Sequence, residues 1–287
     1  MKKLHIVLIC LVAGYVLVMI PLLKEDEKPN NKEEKVVSVN SEEKKEKPTP
    51  AIYKAEKITT ETGTWNKVWE DSFDTPELDK FKWNAVNDGK NYNGEIQYYK
   101  SENVSTSDSK LNLTAKEENY KDYSYTSGKI DTLGKFDFKY GRVEIRAKYP
   151  TGKGLFPAIW MLPSDQQSSL PEIDMFEVNG GEPNKVYAVY HFEGDNSKTK
   201  TDHTTYSLSD NDEYHEYAIE WEKGEIRYYV DNKLTFTANR DISDESMYLI
   251  INLAVGGSWI GEPSDATLLP TSFDIDYVKV FKKIPRG

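Results

Sequence analysis

Cysteine is almost absent from the 287-residue chain, and the single one is Cys10. One thiol excludes an internal disulfide and a zinc site built on several thiolates. The four histidines are scattered, which disfavours a zinc hydrolase, and no Gly-x-Ser-x-Gly element is present for a serine hydrolase. Basic residues are in deficit, with 37 Lys and Arg against 48 Asp and Glu. We therefore expect no nucleic-acid partner, since such partners require basic patches.

The one long apolar run lies at the amino terminus, where Lys2 and Lys3 precede residues 6–23. Eighteen helical residues span roughly 27 Å, close to the hydrocarbon thickness of a bilayer. No small-x-small cleavage site follows the run. We predict that residues 1–23 form an uncleaved single-pass membrane anchor, with the lysines inside and the rest of the chain extracellular. A cleaved signal peptide, and hence a secreted protein, is the alternative.

Residues 24–57 are rich in Lys, Glu, Pro and Asn, and they contain too little apolar surface to form a core. We predict a disordered charged linker there. Residues 58–287 are different, because short segments alternate between apolar and polar residues and are separated by Gly, Asp and Asn. The period of two, without helical spacing or internal repeats, predicts an all-β sandwich or jelly roll.

Three acids, Glu172, Asp174 and Glu177, are crowded into one short predicted strand. Strand side chains alternate between faces, so Glu172 and Asp174 share a face and Glu177 should point to the other. One extra residue, bulged out at Met175 or Phe176, would bring all three to the same face. Like charges repel and acids form strands poorly, so we expect function rather than stability to keep them there.

Two carboxylates that face one groove can cleave a glycosidic bond. One attacks the anomeric carbon as nucleophile, and the other protonates the leaving oxygen. An aspartate between them can hydrogen-bond the nucleophile and hold the pKa of the acid high. The separation of the carboxylates distinguishes retention from inversion, and the sequence leaves it open. On spacing alone, an exposed acidic strand and a cation site remain alternatives.

The segment 172–177 resembles the catalytic signature of glycoside hydrolase family 16, in the bulged Glu-x-Asp-x-x-Glu form of its laminarinase-like branch. The resemblance covers residues 65–283, because further segments occur in family order: 93–99, 141–146, 156–161, 214–221 and 251–259. It implies a concanavalin-like β-jelly-roll sandwich of two antiparallel sheets with a concave substrate groove. It also implies a retaining endo-β-glycosidase that hydrolyses extracellular β-1,3- or mixed β-1,3/1,4-glucan through a glycosyl-enzyme, without a catalytic cofactor.

The resemblance also assigns roles to individual residues. Glu172 matches the nucleophile, Asp174 the assisting acid and Glu177 the general acid/base. Asp276 matches the acid that binds a structural calcium ion on the convex face. The positions that match sugar-binding residues of the family are Trp160, Trp259, His191, Asn93, Glu95 and Arg142. A core role for the tryptophans, and a structural role for each polar residue, remain alternatives.

The approach to the acids departs from the family pattern. Members of this branch usually have glycine directly before the first catalytic glutamate, whereas residues 167–171 here read Gln-Ser-Ser-Leu-Pro. The glycan therefore stays open, and a hydrolase or transglycosylase acting on another cell-surface polysaccharide is an alternative. A carbohydrate-binding sandwich without catalysis is a third hypothesis. We expect a polysaccharide partner, membrane contact through the N-terminal helix, and a monomer.

Overall fold

Strands dominate residues 55–285, the part of the chain that this computed structural model describes. The predicted anchor, and all of the predicted linker up to residue 54, lie outside the described residues. No helix within residues 55–285 is long and apolar enough to cross a membrane. The two short 3₁₀ helices in this range are Ser101–Asn103 and Asp195–Ser197.

The strands in the described range are, in chain order, β1 (Lys57–Thr60), β2 (Gly63–Asp71), β3 (Asn84–Ala85), β4 (Gln97–Tyr99), β5 (Val104–Ser107), β6 (Lys110–Tyr120), β7 (Tyr123–Ser127), β8 (Lys129–Asp131), β9 (Gly141–Lys148), β10 (Leu155–Pro163), β11 (Glu172–Val178), β12 (Lys185–Glu193), β13 (Thr199–Ser207), β14 (His215–Glu222), β15 (Glu225–Val230), β16 (Lys233–Ala238), β17 (Met247–Val255) and β18 (Thr271–Lys283).

The strands form two sheets. The cleft sheet has seven strands in the order β13-β12-β11-β10-β17-β8-β3. The outer sheet has eleven, with the main path β16-β15-β14-β9-β18-β6-β7-β4 and with β1, β2 and β5 attached beside it. Among the described strands only β4 and β7 pair in parallel. This architecture confirms the predicted all-β jelly roll of two sheets.

The core lies between the two sheets, where the inward side chains of each strand meet. Phe176 of the cleft sheet packs against Tyr217 of the outer sheet, with ring centroids 4.5 Å apart, and against Phe273 at 5.7 Å. All three side chains are fully buried. Burial of one such side chain contributes about 1.5–3 kcal/mol to the free energy of unfolding. These contacts therefore hold the two sheets together and fix the position of β11.

The predicted turn at Asp231 and Asn232 joins β15 to β16. Both residues adopt positive φ angles, 48° and 62°. A two-residue hairpin with positive φ at both positions is a type I′ turn, which matches the right-handed twist of its strands. Asn and Asp tolerate this conformation better than other non-glycine residues, which explains why they occupy the turn.

Candidate active site

The three acids of β11 share one face because the strand contains a β-bulge. Asp174 and Phe176 pair with consecutive residues of β10, so Met175 is the extra residue. Met175 and Phe176 both turn into the core, and Glu177 returns to the face that carries Glu172. Two successive side chains can both point into the same core only if the strand breaks its alternation. The predicted bulge is confirmed.

An open cleft of about 430 Å³ lies on this face of the cleft sheet. Its walls come from β8, β10, β11 and β17 and from the loop that contains residues 90–95. The predicted site residues that line it are Asn93, Glu95, Trp160, Glu172, Asp174 and Glu177. We call the last three the acid cluster.

Burial sets the electrostatics of the acid cluster. It raises the pKa of Glu172 to about 7, although a hydrogen bond with Asp174 acts in the opposite direction and lowers this pKa. Burial raises the pKa of Glu177 to about 8, with the Glu172 charge as a further cause. The pKa of Asp174 lies well above its usual range, again first through burial and then through the two glutamates. Burial therefore raises the pKa of both glutamates into the neutral range, where the acid cluster exchanges protons.

His191 lies beside the acid cluster on β12, directly opposite Glu172. Its Nε2 is 3.6 Å from Oδ2 of Asp174, and its Nδ1 is hydrogen-bonded to Oγ1 of Thr201 at 2.8 Å. Burial lowers the pKa of the imidazole, with His203 as a second cause. His191 is therefore neutral at pH 7 and does not balance the charge of the acids.

Trp160 forms part of the cleft floor next to Asp174, its partner in the strand pairing. The indole Nε1 donates to Oδ1 of Asn252 at 2.7 Å, and Nδ2 of Asn252 donates to the Tyr99 hydroxyl at 3.2 Å. The Lys129 ammonium lies 5.4 Å from the centroid of the indole ring. These contacts hold the ring in one orientation within the cleft.

Asn252, Tyr99 and Lys129 also line the cleft, and the sequence-based prediction missed them. Asn252 lies in β17, where its neighbours are buried on both faces, so no alternation singles it out. The available signal was polarity alone: an amide or a lysine within a buried strand requires a partner or a ligand.

Asn93 and Glu95 lie in the loop that closes one end of the cleft. Asn93 has a positive φ of 56°, and its carbonyl accepts a hydrogen bond from the Ser258 amide at 2.7 Å. The Glu95 carboxylate accepts a hydrogen bond from Nε2 of Gln97 at 2.9 Å, while burial raises its pKa. Both side chains reach the cleft, as the sequence predicts, whereas their sugar contacts stay a prediction.

Trp259 lies beside the cleft rather than within its walls. It is 44% exposed and packs edge-to-face on Phe156 at 5.3 Å and on Tyr187 at 4.9 Å. Phe156 itself lines the cleft, so the indole extends the aromatic wall outward. An exposed indole held in this way is available to stack on a ligand.

Arg142 corrects a prediction, because the structure places it away from the cleft. It lies on β9 in the outer sheet, 2% exposed. Its Nε donates to Glu144 at 2.7 Å and its Nη1 to Glu220 at 3.0 Å. Val143 and Ile145 point into the core, so alternation turns Arg142 to the opposite face. We call Arg142, Glu144 and Glu220 the outer-face cluster; it does not bind sugar in the cleft.

Asp276, the residue matched to a calcium site, lies on β18 of the outer sheet. Its Oδ2 accepts a hydrogen bond from Nη1 of Arg146 at 2.6 Å. Residues 55–285 contain no group of three or more His, Cys, Asp or Glu side chains that could hold a metal ion. Calcium is also bound by backbone carbonyl oxygens. Calcium binding at Asp276 therefore stays a prediction.

Comparison with known families and proteins gives consistent matches. The model of glycosyl hydrolases family 16 matches residues 91–279, more than half of the chain. A second model, that of beta-glucan synthesis-associated protein SKN1/KRE6/Sbg1, matches residues 1–164, which end before the acid cluster.

Glucan endo-1,3-beta-glucosidase A1 of Niallia circulans is 34% identical over 283 residues, which cover 82% of this chain. The chain spans only 41% of that relative's length. Beta-glucanase of Rhodothermus marinus is 35% identical over 244 residues, which cover 76% of this chain and 85% of that protein.

Solved structures agree in fold. The endo-beta-1,3-glucanase from Pyrococcus furiosus is similar with a TM-score of 0.75 and 31% identity, over 80% of this chain and 99% of that chain. The laminarinase from Rhodothermus marinus gives a TM-score of 0.71 at 33% identity. The chain therefore belongs to glycosyl hydrolases family 16, within its laminarinase-like branch, and is a glycoside hydrolase.

Proposed function

We propose that the protein is a retaining endo-β-glycosidase that hydrolyses β-1,3- or mixed β-1,3/1,4-linked glucan. One observation carries the proposal: the bulge at Met175 turns Glu172 and Glu177 into the same cleft. Burial raises the pKa of both carboxyls into the neutral range, which supports a site that holds one of them protonated. In a retaining enzyme one carboxylate must be ionised while the other holds a proton.

In the first step, the Glu172 carboxylate attacks the anomeric carbon of the sugar bound next to Trp160. The bond between that carbon and the glycosidic oxygen breaks, and the Glu177 carboxyl gives its proton to the leaving oxygen. An ester between Glu172 and the sugar results. Protonated Asp174 hydrogen-bonds Glu172, which orients the nucleophile and favours its ionised form.

In the second step, the Glu177 carboxylate takes a proton from a water molecule. The water oxygen attacks the anomeric carbon, and the ester bond to Glu172 breaks. Glu177 is protonated again and Glu172 is again a carboxylate, so both groups return to their starting states. Two displacements at one carbon retain its configuration. A sugar hydroxyl in place of water would give transfer instead of hydrolysis.

The names of the relatives support the choice of substrate. The proteins from Niallia circulans and Pyrococcus furiosus are named for endo-1,3-β-glucan cleavage, and the one from Rhodothermus marinus is a beta-glucanase. A keratan-sulfate endo-1,4-beta-galactosidase of Sphingobacterium multivorum is 30% identical over 82% of this chain. A galactan is therefore the second candidate substrate. The apolar run of residues 6–23 supports an extracellular enzyme held at the cell membrane.

The test is incubation with laminarin, mixed-linkage β-glucan and β-galactan, followed by NMR of the first products. We expect cleavage of β-1,3-glucan with the β-anomer appearing first. Initial α-anomer would mean inversion and would contradict the assignment of Glu172 as nucleophile. Tight binding of one glycan without cleavage of any would favour a carbohydrate-binding sandwich. Cleavage of the galactan alone would be consistent with the proposed mechanism but would contradict β-glucan as the substrate.

A further inference from the structure

The chain contains two Asn-Gly pairs, Asn93-Gly94 and Asn179-Gly180. Glycine has no Cβ, so the main-chain nitrogen that follows each asparagine is not shielded by a side chain. That nitrogen can attack the asparagine amide and release ammonia. In a folded protein the reaction requires an asparagine side chain that can rotate and a glycine N–H without a hydrogen bond. The two pairs differ in both respects.

The pair Asn93-Gly94 leaves both reacting groups accessible. The Asn93 side chain is exposed, and within the described part of the chain it makes no hydrogen bond, nor does the Gly94 N–H. The turn is held by two other bonds, from the Glu95 amide to the Tyr92 carbonyl at 2.9 Å and from the Ser258 amide to the Asn93 carbonyl at 2.7 Å. A Cβ placed on Gly94 would meet only the Ser258 nitrogen, at 3.7 Å. The space around this pair is therefore open.

The pair Asn179-Gly180 has the opposite environment. Gly180 is buried, and its N–H donates to the Leu155 carbonyl at 2.9 Å. The side-chain Oδ1 of Asn179 accepts a hydrogen bond from the Gly181 amide at 3.0 Å. A Cβ placed on Gly180 would collide with the Gly152 carbonyl oxygen. Attack by the Gly180 nitrogen therefore requires a local opening that breaks these contacts.

We propose that Asn93 is a site of spontaneous deamidation and that the fold protects Asn179 from the same reaction. The Gly94 nitrogen forms a bond to Cγ of Asn93, and the bond between Cγ and Nδ2 breaks. The amide proton of Gly94 leaves with that nitrogen as ammonia, so a five-membered succinimide ring remains. Water then opens the ring at Cγ to give aspartate, or at the main-chain carbonyl to give isoaspartate.

The modification would change the cleft, because Asn93 is one of the residues that line it. Both products place a new carboxylate beside Glu95, whose pKa is already raised by burial. A second negative charge disfavours the ionised form of Glu95 further. Isoaspartate also lengthens the main chain by one carbon, which displaces the backbone bridge between Glu95 and Gly256. The expected loss of hydrolysis rests on the proposed function, whereas the modification itself does not.

The experiment ages the purified protein in mildly alkaline buffer and follows both asparagines by mass spectrometry. Trypsin places them in separate peptides, residues 91–100 and 154–185, and an isoaspartyl methyltransferase labels the isoaspartate product. We expect Asn93 to react more than about tenfold faster than Asn179, because only the second site must first open locally. A digest of the unaged protein gives the background. Equal rates in the folded protein, or faster reaction at Asn179, would overturn the proposal.

Protein unfolded in guanidinium chloride tests whether the fold causes the difference. Both pairs are then exposed, so the two asparagines should react at similar rates. A preference for Asn93 that persisted in the unfolded chain would contradict protection of Asn179 by its contacts.

Two matched variants connect the modification to the cleft. Asn93→Gln slows ring formation, because the longer side chain must close a six-membered ring, and Asn179→Gln makes the same change at the protected site. During ageing, kcat/KM on β-1,3-glucan should decline for the original protein and for Asn179→Gln, in step with modification of Asn93. Asn93→Gln should keep its own starting value, and an equal decline in this variant would overturn the connection. If the unaged protein hydrolyses no glucan, the proposed function fails, while the peptide masses still decide the modification.

Discussion

Glu220 of the outer sheet and Asp174 of the cleft sheet are both almost completely buried, at 0% and 2% exposure, but their neighbours differ. Glu220 is paired with Arg142 at 3.0 Å and accepts hydrogen bonds from the hydroxyls of Thr62 and Tyr229. Asp174 has two further carboxyls beside it. None of the ion pairs among residues 55–285 joins the acid cluster to a lysine or arginine.

The difference separates structural acids from reactive ones. A buried carboxylate paired with a fixed cation is structural, because loss of that cation strongly destabilises the fold. A buried carboxylate without a cation is disfavoured in its ionised form, so its pKa rises, as it does in the acid cluster. The outer-face cluster therefore has a structural role. The acid cluster opposes stability and provides groups that exchange protons near neutral pH.

The sharpest way to separate the two clusters is to remove one carboxyl from each. For Glu177→Gln we expect kcat/KM on β-1,3-glucan to fall by on the order of 10⁴, because the leaving oxygen loses its proton donor. Glu144→Gln, in the outer-face cluster, should leave kcat/KM within about twofold at a temperature where the protein is folded. Steady-state hydrolysis rates check both. Full activity in Glu177→Gln would contradict the assigned role.

The reverse experiment removes the cation. Arg142→Leu leaves Glu220 buried without its partner, and we expect the free energy of unfolding to fall by about 3–5 kcal/mol. Arg146→Leu is the control on the same strand, since its pair with Asp276 is partly exposed and contributes less than about 1 kcal/mol. Urea denaturation at pH 7 measures both. Equal losses of stability in the two variants would mean that burial does not distinguish the two ion pairs. Reduced glycan affinity in folded Arg142→Leu would mean that Arg142 contributes to sugar binding.

Stability should depend on pH through the acid cluster. The pKa of Glu177 is raised from 4.5 to about 8, so unfolding releases its proton and the folded state loses stability as pH rises through this interval. Glutamine cannot lose a proton. Glu177→Gln should therefore be about equal in stability to the original protein at pH 4 and more stable by on the order of 5 kcal/mol at pH 9. Thermal unfolding at both pH values measures the difference, and no gain at pH 9 would refute the raised pKa.

The smallest effect concerns the neutral contacts of the cleft. Asn252→Ala removes the acceptor that holds the Trp160 indole. A typical hydrogen bond contributes about 1 kcal/mol, so we expect KM for β-1,3-glucan to rise roughly fivefold with little change in kcat. The increase should appear for every substrate that covers Trp160. A fall in kcat with constant KM would mean that Asn252 supports the acid cluster instead.

Sequence reasoning was most successful where local pattern determines geometry. The alternation of short segments predicts two sheets, and the five-residue spacing of Glu172 and Glu177 requires a bulge if both serve one site. That bulge lies at Met175, because two apolar residues in succession had to be buried. The turn at residues 231–232 also follows from its residues alone.

Sequence reasoning failed where a role depends on which sheet a strand joins. Arg142 lies within a family-like segment, and its alternation with Val143 correctly indicates a strand. Alternation cannot tell whether the polar face meets the cleft or the far side of the other sheet. Asn252 and Lys129 were missed for a related reason, since their strands come together only in the folded sheet.

The proposed mechanism depends on Glu172 as the nucleophile, and trapping the intermediate tests this role most directly. The Glu177→Gln variant should react with an activated 2-fluoro β-1,3-glucoside, whose leaving group needs no acid, and should then retain the sugar because the base for hydrolysis is absent. We predict that mass spectrometry of the digested protein will find the sugar esterified to Glu172. A label on another residue, or no label on a variant that still releases the leaving group, would contradict the mechanism.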